Sequence, residues 1–130
     1  MVFEETVVLS LPFDDVLSAV KAALAEQGFG ALTEIDLQAT LRAKVGKEME
    51  RYVIVGACNP KLASRALDVE RQIGVLLPCN VVLREEDNGE ITVAFMDPSA
   101  VLQLVDRPEV AELADDVKQR LQRVEKALQV

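Results

Sequence analysis

Hydrophobic positions along the chain follow two rhythms. Where they recur every three or four residues they predict helices; where they crowd into short runs rich in Val, Ile and Thr they predict strands. Phe3 to Leu9, with Thr6-Val7-Val8 inside it, reads as a first strand. After Pro12, the residues Phe13, Val16, Leu17, Val20 and Leu24 keep helical spacing. Asp14 and Asp15 fall in the first turn, where negative charge suits the helix dipole, and Gly28 closes the segment as a C-terminal cap. Phe29 to Ile35 is a second strand, weakened by Gly30. Asp36 then stands as an N-cap before a short stripe of Leu37, Leu41 and Val45, stopped by Gly46, which predicts a flap over the sheet and not a pillar of the core.

Arg51 to Cys58 carries Tyr52-Val53-Ile54-Val55, apolar on both faces as a central strand would be. Asn59-Pro60 comes next, a favoured N-cap followed by the residue favoured at the first helical position, so a helix starts there. Leu62, Ala66, Val69 and Ile73 carry it to Gly74. Leu76 to Glu85 and Glu90 to Met96 are strands joined by Glu86-Asp87-Asn88-Gly89, whose Asn-Gly pair predicts an antiparallel hairpin. Asp97-Pro98 ends the hairpin, and Val101 to Val105 predicts a helical turn. Val110, Leu113, Val117, Leu121, Val124 and Leu128 mark a long last helix, with Asp106 and Glu109 offering a capping box and Asp116 and Arg120 an i,i+4 pair. The order β-α-β-(α)-β-α-β-β-α predicts one α+β domain over residues 1–130. It is a curved, mainly antiparallel sheet of about five strands with the C-terminal helix packed across it. The apolar seam of that helix belongs to the core, or else meets its copy in a second subunit.

Composition narrows the function. The chain has 130 residues, 50% of them apolar, enough for a core without disulfide or metal staples. Its 14 Lys and Arg against 22 Asp and Glu give a net charge of −8, which argues against general nucleic-acid binding. It has no histidine, which removes the commonest general base and every His-ligated metal site. The acidic start, Met1 to Glu5, is unlike a secretory signal, and the apolar run Val75 to Leu83 is broken by Pro78 and Asn80, so no membrane span is expected. Two cysteines do not make a secreted disulfide framework, and reduced thiols in the cytoplasm are the expectation.

Chemistry concentrates in two contexts, Ala57-Cys58-Asn59-Pro60 and Leu77-Pro78-Cys79-Asn80. Cys58 precedes a helix N-terminus, where unpaired N–H groups stabilise an anion and can lower a thiol's pKa. That would equip it as a nucleophile, a redox thiol or a soft-metal ligand. Against this, cysteine is among the most buried residue types and often fills a strand end as a small apolar group. Asn59 and Asn80 read first as a cap and a turn fastener. Asp36 and Asp97 read first as caps or turn formers; in a chain lacking histidine a base for Cys58 would be a carboxylate such as Asp97 or Glu34, and Glu34, Asp36 and Asp97 are the candidates for a paired-carboxylate acid/base site. Two thiols without histidine are too few for structural zinc, and no metal, cofactor or catalytic residue is expected.

These residues also carry a resemblance. Phe13 through Gly28-Phe29-Gly30, Thr33-Glu34-Ile35-Asp36, Gly56-Ala57-Cys58-Asn59-Pro60, Leu76-Leu77-Pro78-Cys79-Asn80-Val81 and Asp97-Pro98 resemble the domain-of-unknown-function 302 family of small bacterial and archaeal proteins. The resemblance implies a TATA-binding-protein-like α+β fold and a homodimer, without implying DNA binding. It also implies that Cys58, Asn59, Cys79, Asn80 and Asp97 meet. The function expected is a non-enzymatic cytoplasmic protein, homodimeric, that binds a small-molecule ligand or a partner in a cleft between sheet and helices near Cys58 and Cys79, with residues 36–45 as its flap. The alternatives are a thiol-based redox, sulfur-carrier or soft-metal protein using those cysteines, and a purely structural dimeric interaction module.

Overall fold

The computed structural model describes residues 3–129, and the side chains of residues 6–129. Met1, Val2 and Val130 lie outside it, and with them the start of the acidic N-terminal stretch. In chain order the elements are β1 (Phe3–Leu9), α1 (Phe13–Glu26), β2 (Gly30–Asp36), α2 (Leu37–Val45) and β3 (Tyr52–Cys58). Then come α3 (Pro60–Val69), a 3₁₀ segment (Arg71–Leu76), β4 (Cys79–Glu85), β5 (Ile91–Met96), α4 (Pro98–Leu102) and α5 (Pro108–Leu128).

The five strands form one sheet in the order β1-β5-β4-β3-β2, every pairing antiparallel. The first two strands therefore occupy opposite edges, and α1 crosses the sheet between them. β3 is an inner strand, as its apolar run predicts, but the middle position belongs to β4. Side chains alternate between faces along a strand, so the register sorts them into rows. Val53, Leu83, Val93 and Val7 form one row, and Val55, Val81 and Phe95 the next; all are buried. Against them pack Val16, Val20 and Leu24 of α1, Leu62 and Ala66 of α3, and Val110, Val117, Leu121 and Val124 of α5. The seam of α5 is thus a core seam, with Leu121 3% exposed.

The opposite face carries the rows Ile35-Ile54-Val82-Ala94-Thr6 and Tyr52-Arg84-Thr92-Val8. Most of these side chains are half-buried or exposed, and Thr92 is buried.

Local chemistry explains the element ends. After α1, Gly28 takes a φ of 84° and donates its N–H to the Ala25 carbonyl, while the Phe29 N–H reaches the Leu24 carbonyl, as in a Schellman motif. Gly46 ends α2 in the left-handed region, and Gly89 does the same in the β4–β5 hairpin while donating its N–H to the Glu86 carbonyl. Three expectations are corrected. The helix after Asn59 stops at Val69, because Glu70 turns extended and its carboxylate caps the 3₁₀ segment through the Gln72 N–H; Gly74 lies inside that segment. β4 consequently starts at Cys79, not Leu76, after Pro78, which has no N–H to give a ladder. No capping box forms from Asp106 and Glu109: Pro108 takes the first helical position of α5, which makes Arg107 the N-cap.

Candidate functional site

Cys58 ends β3 and Cys79 begins β4, where it pairs with Ala57. Together they line an apolar cavity of about 40 Å³ between the sheet and the helices, with Phe29, Leu62, Ile73 and Leu113 among its other walls. Its volume suits one or two water molecules and falls far below the about 300 Å³ at which small-molecule sites begin. Both cysteines are free thiols, Cys58 half-buried and Cys79 buried. Burial pushes the Cys58 thiol up. Burial, with the nearby Cys58 adding to it, pushes Cys79 up to about 11. The expected lowering at the α3 N-terminus does not occur: Pro60 at the first helical position has no N–H to offer a thiolate, and the Leu62 N–H is already taken. Asn59 Oδ1 accepts the Leu62 N–H at 3.2 Å, and the Asn59 carbonyl accepts the Ala63 N–H at 2.9 Å. Desolvation then outweighs the dipole.

Only Cys58, Asn59 and Cys79 of the expected site residues come together. Asn80 follows Cys79 on a strand, so it points to the opposite face, where it is exposed. Asp97 caps α4, accepting the Ser99 N–H at 2.9 Å, with its other oxygen 3.6 Å from Lys118 Nζ. Glu34 pairs with Lys21 of α1 at the β2 edge. Asp36 caps α2 through the Ala39 N–H at 2.9 Å. None of these three carboxylates lines the cavity, and neither does α2, which buries no residue and is no flap over it. Among the described residues no group of three or more Cys, Asp or Glu side chains is arranged to hold a metal ion. No helix among them is long and apolar enough to cross a membrane.

A larger hollow lies on the other side of the sheet. It measures about 390 Å³, with Val82, Ala94 and Met96 as its floor and Tyr52, Asn80 and Arg84 around it. Arg84 Nη1 holds Glu86 Oε1 at 2.7 Å, and the Thr92 hydroxyl donates to the same oxygen at 2.7 Å. The Thr92 hydroxyl and the Arg84 guanidinium keep the Glu86 carboxyl below its ordinary pKa. Apart from Asn80, none of these residues is a candidate site residue from the sequence alone. The signal was present in Tyr52-Val53-Ile54-Val55, whose second apolar face has no layer of helices to cover it.

The family model "Domain of unknown function DUF302" matches residues 5–128. Among solved structures, the crystal structure of the uncharacterized conserved protein DUF302 from Bacillus stearothermophilus is 26% identical, with a TM-score of 0.88. The match covers 98% of each chain. No curated protein matches the chain.

Proposed function

For a chain that belongs to the DUF302 family, a membership that carries a fold and no reaction, we propose a non-enzymatic binding function seated on the uncovered face of the sheet. The observation that carries this is the hollow of about 390 Å³ over Val82, Ala94 and Met96. Its size and its apolar floor with a few polar groups at the edge fit a small-molecule site. The ligand has an apolar body and hydrogen-bonding ends that reach Tyr52, Asn80 or Arg84. This moves the binding surface away from the cavity beside Cys58 and Cys79, which is too small. Burial raises the pKa of both thiols instead of lowering it, which disfavours thiolate chemistry there. Two free thiols fit a cytoplasmic setting.

The test is a thermal-shift screen of medium-chain fatty acids and aromatic acids, on the parent and on an Ala94→Trp variant that fills the hollow. A specific ligand raises the parent's melting temperature as its concentration passes the dissociation constant, and the variant loses that response. A response that survives Ala94→Trp, or no response from any compound, overturns the reading.

A homodimer is supported by a separate observation. β2 is an edge strand, exposed at all seven residues, with Leu32 64% and Ile35 45% exposed. Unpaired edge groups beside apolar side chains favour pairing with a second copy. Light scattering is expected to give the mass of two chains for the parent and of one for Leu32→Lys. A parent with the mass of one chain removes the dimer.

A further inference from the structure

A third hollow, of about 460 Å³, opens where α3 begins, lined by Gly28, Asn59, Lys61, Arg65, Asp116 and Arg120 among others. In a chain of net charge −8, this lining sets three cations against one carboxylate. Lys61 and Arg65 stand four residues apart on α3 and so share a face, and neither pairs with a carboxylate among the described residues. Arg120 is held in place, its Nε donating to Asp116 Oδ1 at 2.7 Å and its Nη1 to the Gln27 carbonyl at 3.0 Å.

Asn59 is the second, independent element. It is 8% exposed, and its Oδ1 is used by the Leu62 N–H. Its Nδ2 makes no hydrogen bond among the described residues. That amide lies beside Gly28, 2.9 Å from where a Cβ would sit, with Arg120 Nη1 3.6 Å from the same point. The missing side chain at Gly28 thus leaves a small space onto which two N–H donors converge. An N–H donor that faces the hollow and has no protein acceptor is available to an anion, to which its hydrogen bond is charge-assisted.

We propose that this hollow binds the phosphate group of a small phosphomonoester. The phosphate oxygens would accept from Asn59 Nδ2 and Arg120, and the Lys61 and Arg65 side chains would close over them. A phosphomonoester carries a charge of about −2 once its second proton is lost near about pH 6, which balances the lining's excess of positive charge.

The experiment follows the Gly28, Lys61 and Leu62 amide resonances while inorganic phosphate, phosphoserine and, at matched ionic strength, sodium chloride are added. The expected result is saturable shifts centred on those amides for both phosphates, with binding that weakens below about pH 6. Lys61→Gln with Arg65→Gln, both exposed positions, weakens binding by about tenfold or more with an unchanged melting temperature. Asn59→Asp keeps an N-cap oxygen for Leu62 but replaces the amide donor with a carboxylate, and it abolishes binding. Shifts that chloride reproduces, saturation by inorganic phosphate alone, or binding indifferent to the Lys61 and Arg65 changes each overturn the proposal.

Discussion

Gly56→Ala probes the register on which both faces of the sheet depend. Gly56 sits on β3 between Thr33 of β2 and Asn80 of β4, and a Cβ there would stand on the uncovered face. It would overlap Thr33 Oγ1 and come within 2.8 Å of Pro78 Cγ. Thr33 is exposed and can turn its hydroxyl away at small cost, but the proline ring has no rotamer to offer. Overpacking of this kind costs about 1–3 kcal/mol. Replacing glycine in a strand returns about 0.5–1 kcal/mol of backbone entropy. The rigid ring at 2.8 Å puts the overpacking cost in the upper half of its range, about 2–3 kcal/mol, so the net loss is about 1–2.5 kcal/mol, read as a lower urea midpoint at unchanged slope. Thr33→Ala in the same chain recovers the threonine share and leaves the proline share, so a double-mutant cycle separates them. A Gly56→Ala protein as stable as the parent would refute the close approach of β2, β3 and Pro78.

Three further outcomes follow from burial. Cys79 titrates at about 11 in the folded chain against 9.0 when free. Its folded-state pKa is raised, so its contribution of about 2–3 kcal/mol is complete below about pH 9 and is lost as pH rises toward 11; urea unfolding across that range shows the fall, and Cys79→Ala removes it. At pH 8 Cys58 alkylates more slowly than a free thiol and Cys79 reacts only on unfolding; rapid labelling of folded Cys79 would contradict its burial. Leu121→Ala costs about 2–5 kcal/mol, and Leu121→Glu unfolds the chain; a folded monomer from Leu121→Glu would instead place the α5 seam at an interface.

Elements whose signals are local were legible in the sequence. Asp36 and Asn59 cap the helices they precede, Gly28 and Gly46 end theirs, and the Asn88-Gly89 hairpin forms where expected. What failed depended on competition between neighbours. Asp106 lost the N-cap position to Arg107 because Pro108 set where α5 begins, and Glu70 broke a stripe whose apolar spacing continued to Ile73. The candidate site failed differently. Cys79-Asn80 is a strand pair, and strand parity sends its two side chains to opposite faces, whereas Cys58-Asn59 sits at a strand-to-helix corner where both reach the same cavity. The apolar second face of β3 was visible as a pattern, but an apolar face reads the same whether helices cover it or a ligand does.

The most direct test of the uncovered face as the binding surface is to map amide shifts on addition of the strongest hit from the thermal-shift screen. Perturbations centred on Tyr52, Asn80, Val82, Ala94 and Met96 are predicted. Perturbations centred instead on Cys58, Leu62 and Leu113, beneath the helices, would contradict the account.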